Sequence, residues 1–174
     1  PKQVLAVRGP LTRNLLIQHG IDCPEIYGDP ALLFPRYYFP KIEKKYQYGV
    51  ILHASTDITE TITSKVKTIY GNSVLLINPK KFNQWNEFID SILSCENILS
   101  SSLHGIIIAD AYHIPNVWIR VTNNEHPDNN FKFKDYYLSV GKETSNPIDF
   151  TNKPQIINAL DTWKKPIIDL DRLL

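Results

Sequence analysis

The sequence has little cysteine, no long apolar run and no strong excess of charge, and each shortage argues against a class of protein. The two cysteines, Cys23 and Cys95, stand far apart, and neither has a Cys or His at metal-ligand spacing. We therefore expect two reduced thiols rather than a disulfide framework or a zinc site. No apolar run approaches the roughly 20 residues that a membrane-spanning helix needs. The net charge of +1 and the lack of a long basic run argue against nucleic-acid binding, but not against a small anionic ligand.

Length and composition indicate one globular domain. The chain has 174 residues, of which 43% are hydrophobic and 21% are charged, which is ordinary for a soluble domain. We predict a single domain over residues 1–174. No secretory signal is visible. Because the chain lacks methionine and its first residues already read as a strand, we expect it to be part of a longer protein.

Apolar runs alternate with segments of helical periodicity. Strands are predicted at 4–7, 48–53, 74–77, 97–99 and 116–119. Helices are predicted after each of the first four, in one case capped by Asp57 and ended by Gly71, and a late helix contains Ile156 and Trp163. Residues 122–134 read as a polar loop. Alternation of this kind predicts an α/β fold with a parallel, Rossmann-like sheet and helices on both faces, although no GxGxxG motif is present.

Polar residues follow the predicted strands, where open α/β sheets bind ligands. Their donor types and positive charge suit an anionic ligand, although polar residues also simply begin loops. Asp29, in a GDP turn, is more often a cap than a catalytic acid. The candidates for this site are Arg8, Asp29, His53, Ser100, Ser101, Ser102, His104 and Arg120.

The segment SSSLHG strengthens the prediction of an anion site. It leads into a helix whose N-terminus offers unpaired N–H groups and partial positive charge, which suit phosphate. Ser101 or Ser102 is a natural N-cap, and Gly105 would let a ligand or another backbone approach closely. His104, in the first turn, is suited to proton transfer; the alternative is a histidine with a purely structural role.

Other polar and aromatic residues receive no site. Asp110 is expected to pair with His113 rather than face the pocket, and Arg13 to be solvated. Lys132, Lys134 and Asp135 read as an amphipathic surface. Tyr37, Tyr38 and Phe39 fit either a contact with another domain or a sugar. The remaining histidines have no partner at metal spacing and are assigned no site: His19, His113 and His126.

Four segments, in this order, resemble the polysaccharide pyruvyl transferase family: VRGPLTRNLLIQHG, YGDPALLFP, SSSLHGIIIADAYHIPNVWI and FKFKDYYLSVG. The resemblance implies the C-terminal lobe of a two-lobed, GT-B-like fold, and transfer of the enolpyruvyl group of phosphoenolpyruvate onto a sugar of a polysaccharide or its precursor, giving a pyruvate ketal. It implies that Arg8 binds phosphoenolpyruvate, and that Leu103 and His104 line the same pocket with His104 central to the chemistry. It also implies an acidic residue in the other lobe.

The expected chemistry needs no cofactor and no metal, because fixed cations and dipoles can stabilise the charge. The expected partners are phosphoenolpyruvate and a sugar or lipid-linked glycan, with no nucleic acid. The expected location is cytoplasmic, at the inner face of the membrane where the acceptor is lipid-linked. Two alternatives stay open: a glycosyltransferase lobe that binds a nucleotide sugar, with Asp110 reaching its ribose, and a non-catalytic binding lobe.

Overall fold

A computed structural model of the protein describes residues 3–121 and 129–174. Its centre is a five-stranded sheet in the order β2-β1-β3-β4-β5, and every pairing between neighbours is parallel. The strands are β1 (Tyr46–Ile51), β2 (Val74–Ile77), β3 (Cys95–Ser100), β4 (Asn116–Arg120) and β5 (Ile148–Asp149). The predicted α/β class and the parallel, Rossmann-like sheet are therefore confirmed.

Helices cover both faces of the sheet. They are α1 (Pro10–Gln18), α2 (Phe34–Tyr37), α3 (Glu60–Tyr70), α4 (Trp85–Leu93), α5 (Leu103–Ala111), α6 (Asn129–Ser139) and α7 (Lys153–Asp161), with 3-10 helices at Pro30–Leu33 and Leu170–Leu173. On one face, Val66 and Tyr70 of α3 and Ile156 of α7 pack on the sheet. On the other face, α4, α5 and α6 pack side by side. The two layers exclude water from the strands, which explains their continuous apolar runs.

Helix α5 is the most deeply buried helix of the described part of the chain. Nearly all of its residues are buried, from Leu103 to Asp110 with the exception of His104. Its neighbour α6 stacks Phe133 on Trp118 of β4, with ring centroids 4.0 Å apart. A helix that is apolar on every side needs contacts on every side. The sheet, α4 and the 3-10 helix Pro30–Leu33 provide them, together with the buried side chains of α6.

Two predicted elements and one predicted helix cap were wrong. Val4–Val7 is not a buried strand: Val7 forms only an isolated bridge with Tyr27, and Leu5 is 69% exposed. The predicted loop 122–134 is helical from residue 129, because Phe133, Tyr136 and Tyr137 bury one helical face; residues 122–128, with His126, lie outside the described residues. Thr59, not Asp57, caps α3, since its side chain accepts a hydrogen bond from Ile62 N.

The other predicted helices and strands are confirmed to within a few residues. Gly71 ends α3 with a φ of 81°, a conformation that glycine adopts without strain. No helix in the described ranges is both long and apolar enough to cross a membrane.

Candidate active site

The strand order places a ligand crevice between β1 and β3. From β1 the chain crosses to β2 through α3 on one face, and from β3 it crosses to β4 through α5 on the other. In open α/β sheets the carboxyl ends of such a strand pair diverge and form the ligand crevice. His53 follows β1 and Ser101 follows β3, and the His53 N–H donates to Ser101 Oγ over 2.9 Å. Two predicted site residues therefore meet at the crevice.

The turn from β3 into α5 is held by buried serine hydrogen bonds. Ser100 is fully buried, and its hydroxyl donates to Ser102 O (2.8 Å) and accepts from Ser102 N (3.0 Å). Of the two predicted N-cap residues, Ser101 and Ser102, Ser102 has the N-cap backbone position. Its hydroxyl makes no capping hydrogen bond. The Ser102 hydroxyl thus accepts no hydrogen bond from the first-turn N–H groups of α5. Such groups attract an anion.

His104 lies in the first turn of α5 and is exposed, although the residues on both sides of it are buried. A structural histidine would be buried with a hydrogen-bond partner for its ring. Within residues 3–121 and 129–174 the ring of His104 has no hydrogen bond and no ion pair. The side chain is therefore accessible beside the N-terminus of α5, as a proton-transfer residue must be.

Gly105 and Leu103 serve packing. A Cβ on Gly105 would collide with the Ser100 side chain and lie 2.9 Å from Ile51 Cδ1. The close approach expected at Gly105 is thus made to side chains of β1 and β3. Leu103 is only 4% exposed and packs in the helical layer. Both residues fix the height of α5 above the sheet, and so the position of the His104 backbone.

Arg8 is paired with Asp29. Arg8 Nε donates to Asp29 Oδ2 at 3.2 Å, and the arginine side chain is one-third exposed. Asp29 is buried and also caps the first 3-10 helix, because its Oδ1 accepts from Ala31 N at 3.1 Å. It is therefore a cap, the commoner role for this turn, and in addition it orients the guanidinium. With one protein donor on each oxygen, the Asp29 carboxylate is held in place beside Arg8.

The 3-10 helix Pro30–Leu33 brings the Arg8 loop to α5. Leu32 is buried against Leu103, Ile106 and Ile107. Since Asp29 directly precedes this 3-10 helix and Leu103 directly precedes His104, the Arg8–Asp29 pair and His104 lie on the same side of the sheet. Arg8 thus reaches this region from the helical layer and not, as predicted, from the end of a sheet strand.

Asp135 is a residue that sequence reasoning missed. It was expected on an amphipathic surface, but it is fully buried. Its carboxylate accepts from Leu11 N (2.8 Å), Thr12 N (3.1 Å) and Thr12 Oγ1 (2.5 Å). A Cβ on Gly9 would collide with the backbone and side chain of Asp135. The carboxylate thus anchors the start of α1, which follows Arg8 closely, to α6. The signal in the sequence was a single acidic residue among the aromatic residues of FKFKDYY.

Arg120 ends β4 at the same edge of the sheet and is aligned with Asp149 of β5. The pKa of Asp149 is lowered, chiefly by the hydrogen bond from the Thr151 side chain, then by the Thr151 N–H, and to a smaller extent by the charge of Arg120. The crevice between β1 and β3 lies one strand away from Arg120. Arg120 therefore lies beside Asp149 and one strand away from the crevice.

Asp110 has a structural role, but not with the predicted partner. Its buried carboxylate accepts from Lys142 Nζ (2.6 Å), Asn116 Nδ2 (2.6 Å) and Tyr136 OH (2.8 Å). With His113 it shares only a backbone hydrogen bond. Burial of the Lys142 side chain lowers the pKa of its ammonium group. A carboxylate enclosed in this way does not reach the ribose of a ligand, which removes that part of the nucleotide-sugar alternative.

The remaining candidates are accounted for by their surroundings. Arg13 is not simply solvated, because Nε donates to Cys23 O at 3.0 Å and the side chain pairs with Glu25. Both cysteines are free and buried, as expected, and burial raises the pKa of Cys95 to about 11. Tyr38 donates its hydroxyl to Asp90 (2.8 Å). In the described part of the chain no three His, Cys, Asp or Glu residues are placed to hold a metal ion.

Most of the chain is similar to a known protein family. A family model described as polysaccharide pyruvyl transferase matches residues 2–123. An uncharacterized protein of Acanthamoeba polyphaga mimivirus is 28% identical over 177 residues. That alignment covers 99% of this chain but 61% of the viral protein, so the chain spans less than two thirds of its relative. No solved structure matches significantly. The matched range contains Arg8, Asp29, His53, Ser101, His104 and Arg120.

Proposed function

The chain belongs to the polysaccharide pyruvyl transferase family, and on this premise we propose that it binds phosphoenolpyruvate for transfer of the enolpyruvyl group to a sugar. The acceptor is a unit of a cell-surface polysaccharide or its precursor, and the product is a pyruvate ketal. One observation carries the proposal. The exposed His104 lies at the N-terminus of a buried helix, on the side of the sheet to which the 3-10 helix brings Arg8.

Recognition of the donor follows from the charges at this site. Phosphoenolpyruvate carries a carboxylate and a phosphate, and a guanidinium fork matches either group. We assign this role to Arg8, whose Nε is held by Asp29 at 3.2 Å and whose side chain is partly exposed. The N-terminus of α5 and the Ser102 hydroxyl then hold the phosphate, since unpaired N–H groups and the helix dipole favour negative charge. Arg120 is assigned to the outer side of the same anion.

His104 is assigned the proton transfer. A proton delivered to the methylene carbon of phosphoenolpyruvate leaves an oxocarbenium-like centre at the neighbouring carbon. A sugar hydroxyl attacks that carbon and its proton restores the one that His104 gave up. The bond between the carbon and the phosphate oxygen then breaks, and a second hydroxyl closes the ketal while its proton leaves with the phosphate. The net change consumes one diol and one phosphoenolpyruvate and releases one inorganic phosphate. General acid catalysis by one positioned side chain contributes about 10²- to 10⁴-fold to such reactions.

A ligand-dependent melting experiment tests the proposal against its alternatives. A ligand that binds only the folded state at a hundredfold excess over its Kd stabilises that state by about 2.7 kcal/mol. We expect phosphoenolpyruvate to raise the Tm of the wild type, and to raise it much less in Arg8→Ala. Nucleotide sugars should leave the Tm unchanged. A shift with nucleotide sugars alone would favour a glycosyltransferase lobe, and no shift with either ligand would favour a non-catalytic lobe.

Phosphate release from phosphoenolpyruvate in the presence of sugar acceptors is the second readout. We expect release that depends on both the acceptor and His104. The chain spans 61% of the length of its viral relative, and the family resemblance implies an acidic residue in another lobe that turnover would require as well. The binding experiment does not depend on that, because the proposed donor-binding groups all lie in this chain.

A further inference from the structure

Residues 167–173, which we call the strap, extend from the α7 side of the molecule to the helical layer that carries Arg8. Ile167 N donates to Val140 O, at the end of α6, over 2.9 Å. Ile168 and Leu170 then pack on the apolar cluster that contains Leu32 and Leu103. The strap thus contacts the same side-chain cluster that joins the Arg8 loop to α5.

The strap also covers Gly28, the residue before Asp29. Gly28 has a φ of 136°, and a Cβ built on it would lie 2.5 Å from Leu173 Cδ1 and 3.0 Å from Ile168 Cδ1. A side chain at this position is therefore excluded by the backbone conformation and by the strap together. The leucine and isoleucine methyl groups lie directly against the backbone that leads into Asp29.

Gly28 is connected to Arg8 on its other side. Its N–H donates to Val7 O at 3.1 Å and to Arg8 O at 3.2 Å, and the next residue, Asp29, accepts from the Arg8 guanidinium. A displacement of the Gly28 peptide therefore moves both the backbone and the side-chain partner of Arg8. The Arg36–Asp171 ion pair adds a second link, but it is largely exposed and contributes little.

We propose that the strap is a positioning element for Arg8: Leu173 and Ile168 fix the Gly28–Asp29 backbone, and this backbone fixes the guanidinium. Neither strap residue is assigned a contact with the anion. The strap sets the affinity for the anion through the orientation of Arg8. This consequence for affinity rests on the proposed function, whereas the effect on Arg8 itself does not.

The test compares two neighbouring leucines. Leu173 packs on Gly28, while Leu174 is 71% exposed and is not among the side chains nearest to a Cβ at Gly28. We expect Leu173→Ala to shift the Nε–H resonance of Arg8 in the ligand-free protein, and Leu174→Ala to leave it unchanged. Leu173→Met, which restores an apolar side chain of similar length, should return the resonance towards its wild-type position. An unchanged Arg8 resonance in folded Leu173→Ala would overturn the proposal.

Calorimetric titration with phosphoenolpyruvate gives the second readout. Leu173→Ala should weaken binding by about three- to tenfold, within the range that residues remote from a ligand exert on its affinity. In an Arg8→Ala background the same substitution should cause no further loss, because the strap acts only through Arg8. Equal losses in both backgrounds would show a general structural effect and refute the proposal. If the wild type binds no phosphoenolpyruvate, the proposed function fails, and the Arg8 resonance alone decides the role of the strap.

Discussion

The two halves of the candidate site are held in place by different physical means. His104 stands on α5, a helix buried by the sheet and its neighbours, with a glycine that lets it approach β1 and β3. Arg8 lies on a loop outside the sheet, next to Val7, which forms an isolated β-bridge with Tyr27. Its position depends on Asp29, on Asp135 and on the packing of residues 167–173.

The two kinds of support differ in how easily the side chain they hold can move. Groups on buried helices keep their geometry because moving them would open cavities in the core. A group held by a few polar contacts on a loop can shift at lower cost, and each contact can be removed without unfolding the sheet. We therefore expect substitutions in the α5 half to change chemistry or global stability. Substitutions in the Arg8 half should change affinity, at a smaller cost in stability.

The largest expected effect belongs to His104. His104→Ala should lower turnover by about 10²- to 10⁴-fold. Because the ring is exposed and has no partner in the described part of the chain, the free energy of unfolding should change by no more than about 0.5 kcal/mol. Phosphate release and urea unfolding measure the two quantities, with His19→Ala as the exposed control. Normal turnover together with a loss of stability would assign His104 a structural role.

The buried support of α5 can be tested separately from its chemistry. Ile107 is fully buried between α5 and its neighbours. Ile107→Ala should lower the free energy of unfolding by about 2–5 kcal/mol through lost transfer energy and a new cavity. Ile157→Ala, at a position that is 39% exposed on α7, is the matched control and should cost about 0.5 kcal/mol or less. Similar losses at both positions would contradict the picture of α5 as the rigid half.

The Arg8 half should respond to Asp135. Asp135→Ala leaves the donors Leu11 N, Thr12 N and Thr12 Oγ1 without their acceptor, which should cost about 1–3 kcal/mol in unfolding free energy. Phosphoenolpyruvate affinity should fall as well, because the start of α1 is no longer fixed beside Arg8. Asp135→Asn should retain most of both, since an amide oxygen accepts and the Thr12 hydroxyl can reverse its role. Equal losses in the two variants would require the charge itself.

The smallest expected effect concerns the Arg120 side of the site. Thr151 hydrogen bonds, followed by the Arg120 charge, hold the pKa of Asp149 below its ordinary value. A depressed carboxyl pKa contributes stability above the unfolded-state pKa, and that contribution is lost as the pH falls through the folded-state value. Thr151→Val should raise the pKa of Asp149, as followed by carbon NMR, and slightly reduce stability near neutral pH. An unchanged pKa would show that Thr151 is not its main cause.

The α5 half could be predicted from the sequence because its signals are local. The continuous apolar run after SSSLHG predicts a buried helix, and the serines before it predict its N-terminus. The position of the segment directly after a predicted strand then places it at the carboxyl edge of the sheet, where ligands bind. The cap of α3 was predicted two residues too early because Asp57 and Thr59 are both good caps. The backbone conformation at Thr59 decides between them.

Arg8 and Asp29 were predicted as site residues, but the contacts that hold them could not be predicted because they are remote in the chain. Asp135 bonds to Leu11 across 124 sequence positions, and Leu173 lies on Gly28. No periodicity connects such residues. The strand predicted at Val4–Val7 failed for a related reason: an apolar run becomes a strand only beside a partner, and Val7 bridges to Tyr27 alone.

The account depends on Arg8 and His104 meeting one anion. The most direct measurement is a titration with phosphoenolpyruvate that follows the Nε–H resonance of Arg8 and the ring resonances of His104 in the same samples. Arg13, held by Cys23 and Glu25, and His19 are the controls. The account predicts that both site residues shift with one common Kd while the controls remain still. Two different Kd values, or a shift at only one of the two residues, would contradict it.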